Sequence, residues 1–154
     1  MIRFTDTIAI NRPVDDVFTF LADFRHVPLW NHAVITVDAL TEMPVRVGTR
    51  FHQVRQTDEQ DYDITQLEPP VLIEITTTPS SRPALVARFD LHPTETGTSV
   101  TDTWNLETGL PRALERLAGR RIRAAVADNL DRLKTLLETG TAVLQDGRVT
   151  RTTA

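Results

Sequence analysis

PRALERLAGRRIRAAVADNLDRLKTLLET, residues 111–139, is the longest periodic stretch of the chain, and its reading decides the fold. Apolar residues fall at Leu114, Leu117, Ala118, Ile122, Ala125, Val126, Leu130, Leu133, Leu136 and Leu137. Spacings of three and four put them on one face of an α-helix. Pro111 suits a helix start, because its missing N–H would be unsatisfied there anyway, and Gly140 suits the position just past the end. Such a helix is about 40 Å long, enough to cross a small domain.

Upstream the pattern changes from helical to alternating. Ile2–Ile10 alternates apolar and polar residues with one intruder, Asp6, as in a half-buried strand. Asn11-Arg12-Pro13 stops that strand and starts a short helix with Val14, Val17, Phe18 and Leu21 on one side. A second short helix or turn is expected over Asp23–Trp30. Six strands follow: Ala33–Leu40, Gly48–Gln56, Tyr62–Leu67, Val71–Thr78, Ala84–His92 and Thr98–Glu107. The Pro- and Gly-bearing breaks between them are too short for helical crossovers, so the strands form an antiparallel meander. The fold class is α+β. A curved antiparallel sheet of about seven strands surrounds the long C-terminal helix, and the two short helices close one end. Residues 1–139 form one domain, and Thr141–Ala154, with little periodicity, is expected to be a flexible tail.

The 154 residues carry a net charge of −4, distributed unevenly. Residues 1–110 hold 8 Lys/Arg against 16 Asp/Glu, and 111–139 hold 7 against 4. An acidic body argues against nucleic-acid binding, which needs a basic footprint. No stretch is long and apolar enough to cross a membrane, and the N-terminus lacks the order of a signal peptide, so a cytoplasmic location and no stable membrane insertion are expected. Without cysteine there is no thiolate nucleophile. The four histidines have no metal-ligand spacing, the serines lack a nucleophile-elbow context, and there is no Gly-rich phosphate loop. No metal and no cofactor are expected.

Two stretches, INRPVDDVFTFLADFRHVPLW (Ile10–Trp30) and PVRVGTRF (Pro44–Phe51), together with the strand-rich middle and the final helix, resemble the START-like or Bet v 1-like superfamily. The resemblance is to its polyketide cyclase/dehydrase and lipid-transport branch and covers about residues 2–139. It implies a helix-grip fold with a ligand cavity between sheet and long helix. Members bind lipids, hormones, quinones or polyketides, and only some are enzymes. It supplies no catalytic motif.

The residues themselves nominate a site. If the first and last strands pair antiparallel, as in folds of the resembled type, Asp6 lies opposite Asp102. One carboxyl of such a pair has a raised pKa and can do acid/base work. The opposing reading is that one or both lie near a strand end, solvated, or salt-bridged to an arginine. No catalytic residue is assigned, and Asp6 and Asp102 are the two to consider. A helical wheel centres the apolar sector near Ile122, Ala125 and Leu133, with Asn129 inside it and Arg121 at its edge. Ligand contacts are expected from Arg121, Ile122, Ala125 and Asn129 on the helix, and from Trp30, Phe51, Tyr62, Phe89, Asp102 and Trp104. For each aromatic, plain core packing competes with that role. Arg112, Arg116, Arg120 and Arg123 form an outer stripe, read as a solvated face because the apolar face is committed to the core.

Three functions follow. The first is binding of a hydrophobic small molecule such as a lipid, quinone or polyketide-like compound. The second is an aromatase/cyclase or dehydratase on the same fold. The third is an interaction module using the basic helix face, its protein partner unknown.

Overall fold

In the computed structural model, residues 1–152 are described. Strand β1 (Ile2–Ile10) leads into helix α1 (Val14–Ala22) and a 3-10 helix (Phe24–Leu29). Strands β2 (Val34–Ala39), β3 (Arg50–Arg55), β4 (Glu59–Glu68), β5 (Leu72–Thr77), β6 (Ala84–Pro93) and β7 (Thr98–Glu107) follow, then helix α2 (Arg112–Thr139). The sheet order is β1-β7-β6-β5-β4-β3-β2, antiparallel throughout. From β2 to β6 each strand pairs with its successor, as short connections require, and β7 pairs back onto β1. This is the expected α+β helix-grip arrangement.

Alternation fixes which side chains enter the core. From β1 come Ile2, Phe4 and Ile10; from β7, Val100, Asp102 and Leu106; from β6, Ala87, Phe89 and Leu91. Phe51 on β3 and Tyr62 on β4 meet Phe24 of the 3-10 helix, ring centroids 5.6–5.9 Å apart. Gly97, in the β6–β7 turn, permits a close approach: a Cβ there would lie 2.2 Å from the Ile10 carbonyl oxygen.

Helix α2 runs alongside β1. Arg123 donates to the Thr5 carbonyl, Lys134 to the Ala9 carbonyl, and Arg12 to the Leu137 carbonyl. Gly140 ends the helix in the left-handed conformation, its N–H bonded to the Leu136 carbonyl. Burial along α2 is lopsided. Val126, Asn129, Leu130, Leu133, Leu136 and Leu137 are buried. In the first half Ala118 and Ile122 are half-buried, while Leu114 and Leu117 are 55% and 50% exposed. The apolar sector therefore centres on Ile122, Val126 and Leu133, and Ala125 faces solvent. Counting Leu114 and Leu117 as core residues had turned the expected centre towards Ala125.

The expected flexible tail is corrected as well. Strands β8 (Thr141–Val143) and β9 (Val149–Arg151) form a hairpin. It buries Ala142, Leu144 and Thr150. The Thr150 hydroxyl donates to the Leu29 carbonyl, and Arg148 to that of Pro28, tying the hairpin to the 3-10 helix. Asp146-Gly147, with Gly147 at φ 86°, is the turn signal that could have revealed it. Its strands are too short to show alternation. The last two positions of that tail, 153 and 154, lie outside the described residues.

Candidate functional site

The first and last strands pair in the expected register, with Asp6 opposite Asp102. Alternation points both carboxyls to the helix-covered side, because each replaces an apolar residue in an inward row. Asp102 is 2% exposed, and its other cross-strand neighbour is Phe89. Trp104, two residues along the same strand and face, donates its indole N–H to Asp102 Oδ2 at 3.1 Å. Phe4, opposite Trp104, stacks on the indole at a centroid distance of 5.7 Å. Asp6 lies nearer the edge, and its Oδ1 meets Arg123 at 3.4 Å. Among the described residues, neither Asp102 Oδ1 nor Asp6 Oδ2, both buried, has a hydrogen-bond partner.

Electrostatics separates the two acids. Burial pushes Asp102 up to about 7, opposed by the Trp104 hydrogen bond and reinforced by the charge of Asp6. A carboxyl of that kind is largely protonated just below neutrality and can then donate from an oxygen that has no partner inside the protein. Asp6 has Arg123 beside it to balance its charge. An un-ionised acid next to an ion-paired carboxylate can orient a carbonyl or hydroxyl, or move a proton.

The remaining predicted contacts divide into three groups. Trp30, Phe51, Tyr62 and Phe89 are buried core residues. Burial pushes the Tyr62 phenol well above its ordinary pKa, and its hydroxyl donates to Gln53 Oε1 at 3.3 Å. Trp104 and Ile122 are half-buried, beside the acid pair and on the sheet-facing side of α2 respectively. Arg121 and Ala125 are exposed on the outer side of α2. Asn129 is buried, but its Oδ1 accepts from the Gln145 side chain at 3.1 Å, which links the helix to the hairpin loop. That partner lies in a segment whose fold was not legible in the sequence.

Two hollows open on the surface, one of them against the first half of α2. One, of about 820 Å³, opens between the β5–β6 connection (Pro79, Arg82, Pro83, Ala84) and the approach to α2 (Glu107, Thr108, Gly109). The other, of about 290 Å³, lies between β1 and α2, with Ile2, Phe4 and Gly119 beside Arg3, Arg116, Arg120 and Arg123. Sequence reasoning missed both, because rim residues carry no periodic signal.

A seven-stranded antiparallel sheet gripping one long helix, with polar groups set into an otherwise apolar interior, defines the helix-grip class. The chain belongs to the polyketide cyclase / dehydrase and lipid transport family, whose model matches residues 1–138. Among solved structures, protein BH1534 of Bacillus halodurans aligns at TM-score 0.71 and 18% identity, over 90% of this chain and 100% of that one. The Aha1 dimer of Colwellia psychrerythraea aligns at 0.69 and 19% identity, over 91% and 98%. The di-domain ARO/CYC StfQ from the steffimycin biosynthetic pathway aligns at 0.67 and 20% identity, over 89% of this chain and 50% of StfQ. At these identities the likeness is one of fold. No significant match was found among curated proteins.

Proposed function

We propose that the protein binds a hydrophobic small molecule between the first half of α2 and the β6–β7 end of the sheet, with Asp102 as its inner polar contact. The observation that carries this reading is the unpartnered Oδ1 of Asp102, 2% exposed beside the Phe4–Trp104 stack. A buried polar atom without a partner costs stability, and a ligand carbonyl or hydroxyl would satisfy it. Family membership supports a lipid or polyketide-like ligand, and a quinone is of the same flat, apolar, carbonyl-bearing kind. The rim hollow between the β5–β6 connection and residues 107–109 would supply the entrance.

The test is native mass spectrometry of the purified protein, followed by titration of a flat hydrophobic carbonyl compound while Trp fluorescence is read. Binding quenches the indole, Trp104→Phe removes most of that quenching, and Asp102→Asn weakens affinity roughly fivefold to tenfold. No co-purifying compound and no quenching would overturn the reading.

A second reading, cyclase or dehydratase chemistry, is favoured by the pairing of a neutral acid with a carboxylate. The Asp6 carboxylate would take a proton from carbon as Asp102 gives one to the adjacent carbonyl oxygen. Turnover of a poly-carbonyl substrate, abolished by either Asp→Asn change, distinguishes it from carriage alone.

A further inference from the structure

We infer that the outer flank of the first half of α2 is a docking surface for an anionic phospholipid bilayer. The sequence argued against this, because a helix with its apolar face committed to the core has nothing left to insert. The structure removes that objection. Leu114 and Leu117 are exposed on α2, and Leu110, just ahead of it, is 44% exposed. Other exposed apolar residues, such as Ile35 and Val71, stand apart from this arginine-rich helix.

Charge is concentrated on the adjoining side of the same half-helix. Residues 112–127 hold five arginines and one acid, Glu115. Glu115 is already occupied by the Met1 ammonium and the Thr108 hydroxyl. Among the described residues, Arg112, Arg116, Arg120 and Arg121 have neither an ion-pair nor a side-chain hydrogen-bond partner. Arg116 and Arg120 line the hollow of about 290 Å³ together with Arg3, Arg123, the apolar Ile2 and Phe4, and the already occupied Glu115. Guanidinium groups around a partly apolar recess suit a phosphodiester headgroup, which they can bond in bidentate fashion.

Leucines and arginines on adjoining sectors of one helix are the pattern of a helix lying in the plane of a membrane interface. The acidic remainder of the chain would be repelled by an anionic surface and so turns this flank towards it. Arginines alone would equally suit an acidic protein; the exposed leucines among them select the bilayer. The recess shares Phe4 and Arg123 with the surroundings of the acid pair, but vesicle binding needs no ligand in that site, so the inference does not depend on the ligand reading.

The test is co-sedimentation of the whole chain with vesicles of phosphatidylcholine alone and of phosphatidylcholine mixed with phosphatidylglycerol. Binding to the mixed vesicles only, falling as salt is raised, is expected. The double variant Arg116→Glu, Arg120→Glu should lose at least roughly tenfold in binding. Leu114→Gln with Leu117→Gln should lose a similar factor while the salt dependence persists. All four positions are exposed, so thermal unfolding should stay at its original midpoint and report that the variants fold. Absence of binding to the anionic vesicles at low salt overturns the proposal. So does anionic-vesicle binding that neither the arginine nor the leucine variant weakens, which would place the contact elsewhere on the chain.

Discussion

From Val126 to Leu137, α2 buries five apolar residues and an asparagine, whereas between Arg112 and Ala125 it buries none completely. The two halves draw on similar residue types. What separates them is their surroundings: the second half is held between β1, which it contacts by side-chain to backbone bonds, and the β8–β9 hairpin. The first half has β1 on one side and open rim on the other. One amphipathic helix thus serves as a structural clamp at one end and as a wall with an outward face at the other.

The strongest way to break this comparison is to empty the clamp. Leu133 is completely buried, so Leu133→Ala should lower stability by about 3 kcal/mol in chemical denaturation. A loss under about 1 kcal/mol would mean that the second half is as loosely held as the first.

Asp102 probes the interior between helix and sheet. Its folded pKa lies above the unfolded 3.8, at about 7. The folded state therefore binds more protons over that window, and its contribution to stability falls as pH rises from about 4 to about 7. The shift corresponds to up to about 4 kcal/mol. Asp102→Asn should remove this decline, so the variant gains on the parent towards pH 8. Some of the background has the same sign and some the opposite. His52, raised by its bond to Asp61, contributes stability that is lost as pH rises through its folded pKa. Asp23, lowered with help from Arg25, contributes stability that is lost as pH falls through its own. The difference between parent and variant denaturation curves across pH isolates Asp102, and parallel curves would refute its buried, neutral state.

A smaller effect is expected where the clamp meets the hairpin. Asn129→Ala removes the acceptor for Gln145 and should cost about 1 kcal/mol, with faster amide exchange in residues 141–151. Exchange unchanged in the hairpin would show that the Asn129–Gln145 bond does not hold it. Smallest of all, Leu117→Ala should change stability by less than about 0.5 kcal/mol, since the side chain is already half in water.

Much of the fold is legible in the sequence. Alternation located all seven strands of the main sheet to within a few residues, and the β1–β7 register follows from counting along two rows, each with a single misplaced carboxylate. The site was legible only in part. Asp6 and Asp102 stood out because a charge in an apolar row breaks a period of two. Arg121 and Ala125 were assigned to the ligand side by a wheel that treated every leucine of α2 as core. Asn129 lies inside as the wheel places it, and its bond to Gln145 was not legible because the hairpin is too short to produce a periodic signal.

By itself the sequence determined which elements form, their antiparallel order and the meeting of two acids across β1 and β7, because these depend on local periodicity and connection length. Only the tertiary structure decided that Asp102 loses its water while Asp6 keeps an arginine, and that Leu114 and Leu117 remain outside. Those outcomes depend on which surfaces reach over a residue from elsewhere in the chain. Periodicity names the face a side chain occupies, and packing alone settles whether anything covers it.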